Sequence, residues 1–185
     1  TVMFGAADAS SYVEAPEEKD PEVDSTLAPL QSVYQNDFLI GNVYNPSSLQ
    51  GTEREMLLYH FNAITPENLM KPDAMQPSEG NFGFAPADAM VQFAEENNLA
   101  VVGHTFAWHQ QTPGWMAENC TREEAIEHLR THIQTVASRY SGQLIAWDVV
   151  NEAILDGVKL PENGDWKQCL RQGAWYQAIG DDYIE

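Results

Sequence analysis

The sequence predicts a parallel α/β fold, and three observations predict it. Short runs rich in β-branched and aromatic residues alternate with segments whose apolar residues recur every three or four positions. From residue 37 onward the alternation repeats roughly every 37 residues, close to the unit length of a (β/α)8 barrel of about 250 to 300 residues. The polar residues best suited to chemistry fall just after the strand-like runs, where parallel sheets gather their functional loops. A chain of 185 residues holds about four such units, so it is expected to cover about the first half of a barrel, with unpaired sheet edges and the rest of the domain as its partner.

Each element follows from a local signal. Residues 8–29 are acidic and proline-bearing without an apolar period, so residues 1–32 read as a leader or linker and residues 33–185 as the folded part. The opening is not Met and lacks the pattern of a signal peptide, so a processed or trimmed start is expected. "DFLIGNVYN" (37–45) reads as a first strand, and "GTEREMLLYH" as a helix capped by Thr52 and Glu55. "FNAIT" (61–65) is a second strand. "APADAMVQFAEENN" (85–98) is a helix with Pro86 in its first turn, an apolar stripe of Ala89, Met90, Phe93 and Ala94, and a stop at Asn97 and Asn98. "LAVVGHTFAWH" (99–109) is a third strand. "TREEAIEHLRTHIQTVASRY" carries a capping box of Thr121 and Glu124 and a stripe of Ile126, Leu129, Ile133, Val136 and Tyr140. "LIAWDVV" (144–150) is a fourth strand, and "WYQAIGDDYIE" (175–185) a last helix without a closing signal.

Composition excludes several classes of function. With 28 acidic against 9 basic residues the formal net charge is -19, which argues against nucleic acid and anionic membranes. A neutral or cationic partner fits, and so does a charge that serves only solubility. No run of about 18 apolar residues is present to span a membrane. Cys120 and Cys169 have neither metal-site spacing nor the density of a disulfide scaffold, which leaves a single bridge and two free thiols both open. No Gly-rich phosphate loop, serine elbow or cysteine nucleophile motif occurs, and no cofactor is implied.

What remains is carboxylate chemistry. The loop after the second strand holds Glu67, Asn68 and Lys71, and the third strand carries His104 and delivers Trp108, His109 and Gln111. The fourth ends in Asn151 and Glu152. A carboxyl at the mouth of an apolar strand suits general acid work when desolvated, and otherwise serves in a salt bridge. Asn151 orients a substrate hydroxyl or caps a turn, and Asp148, on a core-facing parity, is expected to fix a histidine or amide. His104 and His109 point to opposite faces of a continuous strand and make no metal pair. Trp108 and Trp115 are core residues or platforms for a sugar ring. Lys71 and Glu67 neutralise each other or join Asn68 in a row of hydroxyl-binding groups. Glycoside hydrolysis normally needs two acids, and within this chain elimination leaves Glu67 as the second.

Three long motifs add a family resemblance. "ITPENLMKPDAMQPSEGNFGFAPAD", "VVGHTFAWHQQTPGWM" and "WDVVNEA", in this order and spacing, resemble glycoside hydrolase family 10, whose typical members are endo-1,4-β-xylanases; the match runs over residues 36–185. The resemblance implies a (β/α)8 barrel, retaining hydrolysis of xylan or xylo-oligosaccharides, and a secreted, cell-surface or periplasmic protein. Glu152 matches the acid/base residue and Asn151 the contact to the 2-hydroxyl of the sugar being cleaved. His104, Trp108 and Gln111, with Lys71, match residues holding the sugar on the non-reducing side of the cut. Glu67 and Asn68 match groups binding the sugars next to it, which displaces Glu67 from the role elimination gave it. The nucleophile is expected on a later strand outside this chain, about 5 to 5.5 Å from Glu152. The remaining expectations are a xylan-binding half-barrel without turnover, and a related barrel acting on another β-glycan.

Overall fold

A computed structural model describes residues 22–47 and 49–185. Of the leader or linker expected over residues 1–32, residues 1–21 lie outside the described residues. Four strands, β1 (Gly41–Tyr44), β2 (Ala63–Pro66), β3 (Ala100–Ala107) and β4 (Ala146–Val150), form one parallel sheet in the order β1-β2-β3-β4. Between them run α1 (Leu30–Val33), α2 (Gly51–His60), α3 (Pro72–Met75), α4 (Ala85–Glu96), α5 (Gly114–Ala117) and α6 (Arg122–Arg139), with a 3₁₀ turn (Trp166–Cys169) and α7 (Ala174–Ile179) after β4. The consecutive parallel order with helical crossovers is that of about half a (β/α)8 barrel. No helix among the described residues is long and apolar enough to cross a membrane.

The strands are shorter than their apolar runs. Residues 34–38 turn instead of extending, with the N–H groups of Asp37 and Phe38 bonded to Tyr34 O, and β1 begins only at Gly41. The Asn62 side chain accepts the Ile40 N–H at 2.8 Å, fixing the register in which Gly41 faces Ala63. The capping box at Thr52 and Glu55 does not form. Helix α2 starts at Gly51 with extended Gln50 at its cap, so Thr52 lies inside the first turn, where its backbone cannot adopt a cap conformation. The box at Thr121 and Glu124 is present in full.

Helix rotation also departs from the simplest stripe. In α4 the buried residues are Ala87, Met90, Val91 and Ala94, while Ala89 is exposed. Asp88 sets that rotation by accepting from Arg139 Nε at 2.8 Å and from Tyr140 Oη at 3.0 Å. In α6 the fully buried positions are Ala125, His132 and Val136, and Ile126, Leu129 and Ile133 are only partly covered. The last helix stops at Gly180, whose φ of 110° a residue with a Cβ rarely adopts, so it does not run on to residue 185.

One core joins Leu57, Ile64, Met70, Met75, Met90, Val101, Phe106 and Val136 between sheet and helices. A second, at the carboxyl end of the sheet, gathers Ala107, Met116, Ala125, Trp175 and Ile179. Gly103 lets these layers close. It pairs with Trp147 across β3 and β4, and a Cβ there would fall inside the indole that stacks on Phe106 at 4.2 Å. Both cysteines are free, so the possible bridge does not form. The outer strands leave apolar surface open, Val43 at 55% and Val149 at 53% exposure.

His132 is buried among Phe82, Phe106 and Gln76, its Nδ1 3.0 Å from Gln76 Oε1 and its Nε2 without a hydrogen-bond partner among the described residues. Burial lowers its pKa from 6.5 to about 4. The unfolded chain therefore holds more protons between these values, so the stability due to neutral His132 is complete above pH 6.5 and lost as pH falls toward 4. Unfolding free energies from urea titrations between pH 7 and 4.5 should fall less steeply in His132→Gln than in the parent, by up to about 1 kcal/mol per pH unit.

Candidate active site

The functional side chains converge because parallel strands end on one side. Helix α3 follows β2 after only five residues, 67–71, and that short connection carries Glu67, Asn68 and Lys71. Lys71 is 8% exposed. Its three ammonium donors form no ion pair with a carboxylate among the described residues. Nζ instead donates to Asn68 Oδ1 at 2.9 Å and Gln111 Oε1 at 2.8 Å, and lies 4.5 Å from the centre of the Trp108 ring. The simple Lys71–Glu67 pair is therefore not formed. Glu67 accepts from Asn45 Nδ2 at 2.6 Å, an amide just past the end of β1.

From β3, Trp108 crosses to the other side of the site. Its Nε1–H donates to Glu152 Oε2 at 2.9 Å, and its carbonyl accepts from Thr112 Oγ1 at 2.7 Å and Trp175 Nε1 at 3.2 Å. Gln111 has φ 41° and Glu152 φ 51°, left-handed backbone that costs a residue with a Cβ of order 1 kcal/mol or more. The Gln111 loop is tied down by the Asp73 N–H on its carbonyl at 2.9 Å. On the other loop, the Asn151 N–H extends the ladder to Ala107 O at 2.8 Å. The side-chain amide of Asn151 makes no hydrogen bond among the described residues, so it caps no turn.

Two expectations about burial change. Glu152 lies beyond β4 on a turn rather than on the parity of Asp148 and Val150, and its side chain is 49% exposed, so within this chain it is not desolvated. Asp148 does hold a histidine: it is the register partner of His104 and accepts at 2.8 Å from His104 Nδ1. Yet it does so at the surface, 52% exposed. Trp115 belongs with the second core, packed edge-on to His128 at 5.1 Å, and is not a platform beside Trp108. His109 follows the end of β3, so strand parity does not govern it. Among the described residues no group of three or more His, Cys, Asp or Glu gathers to hold a metal ion.

An exposed carboxyl on a strained turn, bonded to an indole that also covers a buried ammonium, makes a polar groove with an aromatic floor. The family model for glycosyl hydrolase family 10 matches residues 29–185. The chain belongs to glycosyl hydrolase family 10. It is 40% identical over 161 residues to endo-1,4-beta-xylanase A of Caldicellulosiruptor saccharolyticus, which covers 84% of this chain and 45% of that protein. The endo-1,4-beta-xylanase structure from Caldicellulosiruptor owensensis superposes with a TM-score of 0.75 at 41% identity, covering 85% of this chain and 47% of that one. The intracellular xylanase from Thermoanaerobacterium saccharolyticum does so at 0.74 and 36% identity, covering 86% and 51%. The chain spans about half the length of the curated relatives it matches.

In this family-10 chain three contributors escaped the sequence reading of the site, and a fourth was named there only to exclude a metal pair. Asn45 and Trp175 act through distant partners, Glu67 and the Trp108 carbonyl. His109 stood in the right motif without a role. Its Nδ1 is buried without a hydrogen bond, 3.8 Å from Glu152 Oε2. Arg171 lies in the irregular stretch after β4 and lines the same small recess as His109 and Glu152. Its one sequence signal was rarity, as one of nine basic residues in an acidic chain.

Burial holds the His109 pKa below 6.5, and the Arg171 charge lowers it further, against the opposing pull of Glu152 and Asp156. An NMR titration should find His109 half-protonated below pH 6.5, and Glu152→Gln, which removes one raising charge, should lower that midpoint again. A midpoint that rises in the variant contradicts this placement of charges.

Proposed function

We propose that this chain forms the N-terminal half of the catalytic barrel of an endo-1,4-β-xylanase, which hydrolyses internal β-1,4 linkages of xylan with retention of configuration. The observation that carries the proposal is the Glu152 carboxyl at the carboxyl end of β4, fixed by the Trp108 N–H at 2.9 Å at the end of a line of amide and ammonium groups. The xylanase names of the curated relatives support it.

Glu152 protonates the leaving oxygen and then, as a carboxylate, activates the hydrolytic water. Asn151 contacts the 2-hydroxyl of the sugar being cleaved. His104, Trp108, Gln111 and Lys71 hold that sugar, and Glu67 and Asn68 bind those next to it. The buried Lys71 ammonium, already oriented by two amide oxygens, presents hydroxyl-binding groups with little ordering left to do. The nucleophile is a second carboxylate supplied from outside this chain. The same missing part pairs with the open edges of β1 and β4 and covers Val43 and Val149. Action outside the cell belongs to the same proposal, because xylan is a wall polymer too large to enter a cell intact.

The test is Glu152→Gln in the intact protein, assayed on xylan and on an aryl xyloside with an activated leaving group. Activity on xylan should fall by about 10²- to 10⁴-fold, while cleavage of the aryl bond, which needs no proton, falls far less. Equal losses on both substrates contradict the acid role. A parent protein that binds xylo-oligosaccharides but releases no reducing ends is a binding protein instead.

A further inference from the structure

Glu152 holds a left-handed φ of 51° on an exposed turn, so its neighbours have to fix it. On the upstream side the Asn151 N–H is bonded to Ala107 O at 2.8 Å. Downstream, the chain returns and pairs with itself. The Leu155 N–H donates to Cys169 O at 2.9 Å and the Arg171 N–H to Ala153 O at 2.7 Å, with Ile154 and Leu170 bridged antiparallel between them. From that anchored backbone the Arg171 side chain turns back. Its Nε donates to the Glu152 carbonyl at 3.1 Å, and Nη2 reaches Ile154 O at 3.5 Å and Asp156 Oδ2 at 3.1 Å.

The two ends of this arginine differ in weight. Asp156 is 96% exposed, so its ion pair is screened and worth little. The Nε contact is a charge-assisted bond made by a side chain only 19% exposed. It fixes the peptide plane after Glu152, while the Asn151 N–H anchors the chain one peptide unit upstream, so the short turn that sets the Glu152 Cα–Cβ direction is tied at both ends.

We propose that Arg171 is a positioning residue for Glu152, holding the Glu152 carbonyl so that the carboxyl meets the Trp108 N–H and the glycosidic oxygen in one orientation. The proposal rests on the acid/base reading of Glu152. It assigns Arg171 no contact with substrate. The loss it predicts therefore lies in proton transfer and leaves sugar binding alone.

The experiment compares Arg171→Lys, Arg171→Gln and Asp156→Asn in the intact protein, with kcat and KM measured on xylan and on the activated aryl xyloside, and Tm alongside. Lys keeps the charge, ends one atom shorter and puts a methylene where Nε stood, so it removes the Nε donor and carries the test if the Gln variant fails to fold. Arg171→Lys should lower kcat on xylan by about 10- to 100-fold, with KM within about twofold and a much smaller loss on the aryl substrate. Asp156→Asn should stay within about twofold of the parent. Equal loss on both substrates, no loss at all, or an Asp156→Asn effect as large as that of Arg171→Lys overturns the proposal. Glu152→Gln run in parallel separates the two readings. If it lacks the leaving-group dependence, the acid assignment itself falls, whereas if it has that dependence and Arg171→Lys does not, only the positioning role falls.

Discussion

Trp108 meets charge on two of its surfaces: the Lys71 ammonium lies 4.5 Å from its ring centre and the Glu152 carboxylate accepts its N–H at 2.9 Å. The rest of the site depends on this indole staying where it is. Lys71 is buried with no acid beside it, and without the ring face its third donor would point at nothing, a cost of about 1 to 3 kcal/mol for an unmade bond and more for a charged group. Glu152 would lose a fixed donor in the groove. Two further donors, Thr112 and Trp175, hold the Trp108 carbonyl, so α7 supports a residue at the end of β3.

The site also carries backbone strain that the core offsets. Gln111 and Glu152 both lie in left-handed backbone, at about 1 to 3 kcal/mol each. Met70, Met75, Met90 and Met116 are each 1% exposed or less, and burying one such side chain contributes about 1.5 to 3 kcal/mol. Two methionines therefore balance the two strained residues, and the unbranched side chain suits irregular gaps between short helices. The strain sits where two polar side chains must leave strand geometry to reach a common point.

Cations are scarce, and several are committed to specific anions or dipoles. Arg139 is bonded to Asp88 and sets how α4 is rotated, while Arg122 ties α6 to Asp182 beyond α7 with contacts of 2.9 and 2.6 Å. These bridges are partly exposed, and their value lies more in fixing register than in stability. Lys71 and Arg171 are spent at the site, one among amides and one on carbonyl oxygens. The strongly acidic remainder disfavours phosphate ligands and is compatible with a neutral or cationic one.

The alternation of strands and helices, the capping box at Thr121, the stop at Asn97 and the delivery of Asn151 and Glu152 by an apolar strand were all legible in the sequence, because each is a local rule acting over a few residues. The family was legible for a related reason, since each of its three motifs is contiguous in the chain. Partners were not. The sequence left Lys71 either paired with Glu67 four residues earlier or in a row with it and Asn68, and packing gave Lys71 to Asn68, Gln111 and Trp108, and Glu67 to Asn45. Periodicity likewise put Ala89 on the inner face of α4, until the contacts of Asp88 with Arg139 and Tyr140 turned it outward. The sequence by itself determined which elements form and which ends carry polar groups. Only the tertiary structure decided who meets whom, because pairings are chosen by strand register and helix rotation, which no local window contains.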